Sequence, residues 1–366
     1  MSTSIPIPVG AIGCGAALEL LYAGGLRRLE ARGCIRVAVL ADASESRRSW
    51  ASSTFPGARV DSDLSRLYAD REVGLTIVAS PPPLHSQHVE TVMSYGSHVL
   101  CEKPIADTVA NGAKIIAAAK DSQRLLGIGM TRRFYPCLAE ARAWIMDGRI
   151  GRVLSYSYRE GGVYSWPVKS VAPFRRESSG GGVLLDKGVH VLDLLSWLFG
   201  PAVLVGAQDD SWSGGVEGNS VVTLAHQEVE GRVQLSWDQD INSAFLIRGD
   251  RGDLMIPVGP IDILYSRRHG GAWSLVPIAA AWPGDLSAIP RVFQQPKNYY
   301  DCIELQLTQM LRAILHGDPV PVDGEAAIQT LELISKAYNS ATWLDQTWIP
   351  SEEKAVSRMK HWRASA

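Results

Sequence analysis

The 366-residue sequence predicts an α/β chain of two domains. Residues 1–130 read as buried strands alternating with helices, and residues 131–366 as an α+β half with an open, mostly antiparallel sheet. Three observations carry this. Val9–Ile12 is a short apolar run that ends in Gly13-Cys14-Gly15 and passes into a helical pattern. Strand and helix patterns then take turns as far as Met130, and beyond Leu138–Met146 the apolar period changes from helical to two. The length itself exceeds what one ordinary core serves.

In the loop Gly13-Cys14-Gly15-Ala16-Ala17-Leu18, glycines let the backbone pass close to a pyrophosphate, and the following helix offers it unpaired N–H groups. Leu18 stands where the strict G-x-G-x-x-G pattern has Gly or Ala, and an ordinary turn is the competing reading. Ile35–Leu40 reads as a second buried strand ending at Ala41-Asp42. A carboxylate at that tip suits adenosine ribose hydroxyls; the alternative is a solvated turn residue. Helices are predicted near Glu45–Ser53 and Ser62–Ala69, and a third strand at Leu75–Ala79. Ser80, Pro81 and His85 follow at the carboxyl edge of that strand, where ligands of such sheets bind. The same edge recurs after Ser97–Leu100, which runs into Cys101-Glu102-Lys103-Pro104. Lys103 there can hydrogen-bond a substrate oxygen and stabilise a developing alkoxide, or merely pair with Glu102. A helix over Asp107–Ser122 and a strand over Leu125–Met130 close this half.

In the second half, period-two runs cover Val153–Arg159, Ser220–His226 and Arg232–Trp237, with shorter extended runs at Phe245–Arg248, Leu254–Val258 and Ile261–Tyr265. Leu154, Tyr156 and Tyr158 share a side, to be buried by a second subunit or by the chain itself. Gly180–Leu198 reads as an apolar helix with one ionisable face. At ~100° per residue, Asp186, His190 and Asp193 fall within roughly 60° of one another. Such groups need partners, which a ligand cleft, a simple Asp186–His190 staple or a divalent ion could supply. A helix over Tyr300–Leu315 is expected to cover the same sheet. Tyr164, Trp166, Arg175 and Arg176 lie in a Gly/Ser/Pro-rich loop and suit a polyol or sugar. The tail after Ile349 is charged and reads as adaptable.

Composition excludes several classes. With 36 basic and 38 acidic residues and no basic run, nucleic acid is not an expected partner. The 5 cysteines are odd in number, scattered and without a Cys-x-x-Cys, which argues against a disulfide framework or a zinc site and for a reducing, cytoplasmic setting. The uncharged first residues lack a basic region and are broken by Pro6, Pro8, Gly10 and Gly13, so no leader is expected. No apolar run has the length of a membrane span, so no membrane partner is expected either.

Taken together, Gly13-Cys14-Gly15, Glu102-Lys103-Pro104, Arg133-Phe134-x-Pro136, Asp186-x-Gly188-x-His190-x-x-Asp193 and Val322-Asp323-Gly324-Glu325 resemble the glucose-fructose oxidoreductase and inositol dehydrogenase family, in the same order and over nearly the whole chain. The resemblance implies a Rossmann NAD(P)-binding domain over 1–130 and a substrate-binding and oligomerisation domain over 131–366. It further implies a nicotinamide cofactor and a catalytic trio of Lys103, Asp186 and His190, with no metal. The expected cofactor contacts are Gly13, Cys14, Gly15, Ala16, Ala17, Asp42, Ser80, Pro81, His85, Glu102 and Lys103. The expected substrate contacts are Lys103, Arg133, Tyr164, Trp166, Arg176, Asp186 and His190, with Asp193 structural. In this reading His190 takes the proton from a secondary hydroxyl of a sugar, cyclitol or nucleotide-sugar as the carbon gives up hydride, Lys103 steadies the oxygen, and Asp186 orients the imidazole or the substrate. An NAD-dependent glycosidase of the same family, a non-catalytic cofactor-sensing regulator and a metal-dependent lyase are the alternatives. Asp42 favours NAD, although Ser44, Arg47 and Arg48 offer a site for the extra phosphate of NADP. A homodimer or homotetramer through the open sheet face is the expected assembly.

Overall fold

The computed structural model describes residues 6–69, 72–167, 171, 174–212, 214–279, 296–346 and 350–361. The chain divides into two compact units, the described residues of Met1–Phe134 with Gly284–Ile328, and those of Tyr135–Pro283 with Gln329–Ala366.

In the first unit, β1 (Ile7–Ile12), β2 (Ile35–Ala41), β3 (Arg59–Asp61), β4 (Leu75–Val78), β5 (His98–Cys101) and β6 (Leu126–Ile128) form a parallel sheet in the order β3-β2-β1-β4-β5-β6. All four residues of β4 are buried, as expected for a strand covered on both faces. The order reverses between β1 and β4, so the loops leaving these strands flank a switch point where such sheets take ligands. Strand β3 has no counterpart in the sequence reading, because three half-exposed residues carry no period.

The helix Tyr299–His316 is placed differently from expectation. Its Ile303, Leu307, Met310 and Leu311 join the core built from β1, β2 and the helix Ala23–Ala31, so it belongs to the parallel-sheet unit. An apolar stripe shows that a helix packs, and not on which sheet. Glu304, buried on that stripe, pairs with Arg28 of the helix Ala23–Ala31 and, at 2.7 Å, with Arg32 just beyond its end.

The second unit holds β7 (Val153–Glu160), β8 (Val203–Asp209), β9 (Asn219–His226), β10 (Val229–Ser236), β11 (Ala244–Gly249), β12 (Gly252–Pro257), β13 (Tyr265–Arg268), β14 (Ser274–Leu275) and β15 (Thr342–Trp343). Their order is β14-β13-β12-β11-β7-β10-β9-β8-β15. The pairs β7–β10 and β8–β15 are parallel and the rest antiparallel. The run expected at Ile261–Tyr265 becomes a strand only from Tyr265 onward. Tyr156 and Tyr158 are covered by the chain itself rather than by a second subunit. Tyr156 stacks on Phe199 at 5.1 Å and its hydroxyl lies 3.0 Å from His226, whereas Leu154 is 45% exposed. The charged tail contains a helix, Ser351–Met359. Among the described residues no helix is long and apolar enough to cross a membrane.

Glu304→Ala is expected to lower unfolding stability by about 1–2 kcal/mol, less than a fully buried pair because both arginines are partly solvated. Urea unfolding followed by far-UV circular dichroism measures it; no change in midpoint would mean that apolar packing alone holds the helix.

Candidate active site

The glycine loop is shaped by backbone crowding. Gly13 has φ +90°, and a Cβ there would lie 2.5 Å from the amide nitrogen of Ser80 and 2.6 Å from the carbonyl of Ala79. Only glycine lets the turn after β1 run against the end of β4. At Gly15 the position of a Cβ is open, with nothing within 4 Å, and helical turns begin at Ala16 and Ala17, both half-buried. An open cradle of glycine backbone before a helix fits a pyrophosphate. The Cys14 thiol points away from it: it is buried 3.6 Å from Ala41 O, and burial pushes its pKa up to about 12. It fills space rather than acting on ligand.

Asp42, just beyond β2, lies against this loop. Its carboxylate accepts from the amides of Cys14 at 2.7 Å and Ser44 at 2.8 Å. Neither neighbouring arginine reaches outward. Arg47 donates to Cys14 O and to Glu19 and lies 4.7 Å over the Trp50 ring, while Arg48 donates to the carbonyls of Asp42 and Ala43.

At the end of β4, Ser80 is buried, its hydroxyl 2.9 Å from His88, while Pro81 is exposed. His85 departs from the expected cofactor contact. Its ring is fully buried, with Nε2 2.8 Å from Ser80 O and Nδ1 3.0 Å from Pro104 O, and burial holds its pKa below the usual imidazole value. It ties the turn after β4 to the turn after β5. Glu102 is likewise turned inward: Tyr22 donates to one oxygen and the Lys103 amide, at 3.0 Å, to the other. Burial raises the Glu102 pKa. The anticipated Glu102–Lys103 relation includes a backbone hydrogen bond, and the lysine charge opposes the rise that burial causes at Glu102, so the half-buried Lys103 stands on a carboxylate. Arg133 is half-buried in the short helical turn Thr131–Phe134.

The second unit carries the Asp186–His190 helix. It does not start at Gly180. Gly180-Gly181-Gly182 is a loop, a wide π-helical turn follows at Leu184–Gly188, and the α-helix proper is Val189–Phe199. Asp186 and His190 are half-buried, while Asp193 is buried, in keeping with a structural role. The start of this helix is held by Glu217. Its carboxylate accepts from the amides of Gly182 at 3.0 Å and Leu184 at 2.9 Å, its own carbonyl accepts from Val183 at 3.1 Å, and Tyr338 donates to it at 2.7 Å. The far end is held too: His226 lies 2.8 Å from Gly200 O, behind the stacked Phe199 and Tyr156.

One of the expected substrate contacts is placed differently. Arg176 lies 3.9 Å over the Tyr338 ring and 3.8 Å from Glu217, so its guanidinium serves the helix start. Trp166 is 41% exposed. Tyr164 stays beside Asp186, whose charge, after burial, raises the phenol pKa. It packs edge-on against Trp237 at 4.8 Å and Phe174 at 5.2 Å. The buried indole nitrogen of Trp237 has no hydrogen-bond partner among the described residues. Nor is any group of three His, Cys, Asp or Glu side chains among them arranged to hold a metal.

Residues 7–130 match an oxidoreductase family with an NAD-binding Rossmann fold, and residues 138–255 match the GFO/IDH/MocA C-terminal domain. The chain belongs to the GFO/IDH/MocA family. Inositol 2-dehydrogenase 2 of Saccharopolyspora erythraea is 34% identical over 199 residues, which cover 54% of this chain and 55% of that protein. The chain thus spans about half the length of the curated relatives it matches. A levoglucosan dehydrogenase in complex with NADH and levoglucosan has a TM-score of 0.78 at 20% identity, covering 92% of this chain and 97% of that one. A 3-ketoreductase from Actinomadura kijaniata in complex with NADP has a TM-score of 0.75 at 19% identity, covering 93% and 99%. At these identities the likeness shows a shared fold.

Within this GFO/IDH/MocA chain, sequence reasoning missed Glu217, Tyr338, Trp237 and Phe174. No local pattern marks a lone glutamate 31 residues beyond Asp186, although the Gly180-Gly181-Gly182 run does signal close backbone approach. Burial pushes the Glu217 pKa up to about 7, with Tyr338 opposing and Asp209 adding to the rise. A carboxyl that binds its proton more tightly folded than unfolded contributes stability at low pH that is lost as pH rises through that value. Unfolding stability is therefore expected to fall between about pH 5 and pH 8 more steeply in the wild type than in Glu217→Gln. Denaturant titrations across that range test it; parallel slopes would place the Glu217 pKa at its unfolded value.

Proposed function

We propose that this chain is an NAD(P)-dependent oxidoreductase acting on a secondary hydroxyl, or the corresponding ketone, of a sugar, cyclitol or nucleotide-sugar. The observation that carries it is the anchoring of Lys103 by buried Glu102 in a unit with a dinucleotide cradle, together with a helix in the second unit that is held at both ends and carries Asp186 and His190. Relatives named for inositol and levoglucosan support the substrate class. Tyr164, beside Asp186, and the Phe174 and Trp237 rings packed against it add aromatic surface for the C–H face of such a ring.

In this reading Gly13, Gly15, Ala16 and Asp42 hold a nicotinamide dinucleotide, which when bound accepts or returns hydride. The Lys103 ammonium donates to the reacting oxygen and stabilises negative charge developing on it. A ring nitrogen of His190 takes the hydroxyl proton, and Asp186 favours the imidazolium that results. Glu102 and His85 serve these groups by holding the backbone that presents them.

Lys103→Ala is expected to lower turnover about a hundredfold, roughly 3 kcal/mol of barrier, with cofactor affinity nearly unchanged. His190→Asn should flatten the acidic limb of the oxidation profile, and Asp186→Asn should shift that limb to lower pH, because a carboxylate no longer favours the imidazolium. Absorbance of the reduced nicotinamide over a panel of polyols, sugars and sugar nucleotides measures these. Wild-type-like turnover without Lys103 would sink the mechanism.

NAD should bind more tightly than NADP, since the Asp42 carboxylate would face the added phosphate while Arg47 and Arg48 are committed to backbone carbonyls. Asp42→Asn keeps an acceptor for one of the two loop amides and removes the charge. It should weaken NAD by about 1–2 kcal/mol and raise the NADP-to-NAD affinity ratio. Titrating both cofactors against both proteins decides, and tighter NADP binding by the wild type would reverse the assignment.

A further inference from the structure

We propose that Glu217 is the positioning residue for Asp186 and His190, acting as a remote cap on the helix that carries them. A helix begins with N–H groups that have no partner within it. In most helices the residue just before the first turn supplies a side-chain acceptor. Here Val183 precedes the first turn and its side chain offers no acceptor, and the residues ahead of it are glycines. The acceptor comes instead from Glu217, beyond the helix and one further strand. It takes three successive amides: Gly182 and Leu184 on its carboxylate, Val183 on its carbonyl.

The crowding at this contact shows how closely it is built. A Cβ at Gly182 would lie 2.1 Å from the Glu217 carbonyl, and one at Gly181 would lie 2.2 Å from the Tyr338 hydroxyl. The glycine run therefore exists to admit Glu217 and Tyr338, as well as to make a turn. The charged and titratable groups facing the carboxylate are Arg176, stacked on Tyr338, and Asp209. A negative charge at this end also suits the helix dipole. Asp186 follows directly: its own amide donates to Gly182 O at 2.9 Å, so the residue that Glu217 grips also fixes the backbone of Asp186. His190 is four residues on, one turn along the same helix.

The proposal rests on the reading of Asp186 and His190 as reacting groups, but its structural half can be tested without turnover. Hydrogen exchange of the full-length protein, read on peptides spanning residues 181–190, should show faster exchange in Glu217→Gln, because Gln offers one acceptor oxygen and adds a donor facing donors. Tyr338→Phe, which removes one hydrogen bond and keeps the ring beneath Arg176, should show a smaller change. In kinetics, Glu217→Gln should lower kcat about tenfold or more and Tyr338→Phe about threefold, with KM for the nicotinamide dinucleotide unchanged in both. Unchanged exchange in both variants would overturn the cap. Faster exchange with kcat kept within about twofold, or a kcat loss that only tracks the folded fraction, would overturn the positioning role. A wild type that turns over no substrate of the panel would refute the oxidoreductase reading while leaving the exchange result to judge the cap.

Discussion

Two of the places where a Cβ cannot exist govern how the two proposed site elements are built. A Cβ at Gly13 would lie 2.5 Å from the Ser80 amide nitrogen, and one at Gly182 would lie 2.1 Å from the Glu217 carbonyl oxygen. Each is the point at which a strand or loop hands over to the helix that follows, and each puts backbone rather than side chain at the working surface. The first exposes a cradle of N–H groups at a sheet edge. The second lets a distant carboxylate reach the amides of a helix start. Substitution at either would move backbone against backbone, which no rotamer change relieves.

Buried carboxylates are the second recurring device. Glu102, Glu217 and Glu304 are each almost fully enclosed, and each is taken by donors from elsewhere in its own unit: Tyr22 and the Lys103 amide, the Gly182–Leu184 amides with Tyr338, and the Arg28–Arg32 pair. Burying a charge is costly unless its hydrogen bonds are made, so these contacts hold well-defined geometry rather than add much net stability. In two of the three the gripped amide belongs to, or leads directly into, a proposed reacting residue.

Much of the first unit was legible because its information is local. Apolar runs of four to six residues, the glycine pair and the acid at the end of β2 each state their own role, and the parallel alternation follows from them. The helix Tyr299–His316 was legible as a helix but not by location, since amphipathic periodicity names a face and not its partner. The catalytic candidates were legible as residue types in motifs. Their supports were not: Glu217 and Tyr338 are far from Asp186 in sequence, and Arg176 and His85 looked like ligand contacts because a cation or imidazole in a loop reads alike whether it turns out or in. Only packing decides that direction. The tyrosines of β7 posed the same question in apolar form, and Phe199 and His226 answer it from within the chain.

The wide helical turns explain why helical arithmetic was only half right. Leu18–Tyr22 and Leu184–Gly188 are both π-helical, and each follows one of the two glycine loops. In the first, the turn widens where a leucine replaces the small residue of the strict dinucleotide fingerprint, and Leu18 is accommodated fully buried in the core. In the second, each residue advances by less than the usual ~100°, so a spacing of four comes closer to one complete turn. Asp186 and His190 are thereby drawn towards one line along the helix, while Asp193, in the ordinary α-helical part, falls out of that line and into the core. The offset from His190 to Asp193 lies wholly in the ordinary helix and is the same with or without the widened turn, so that turn acts on the Asp186–His190 pair alone, and the carboxylate of Glu217 caps the chain just ahead of it.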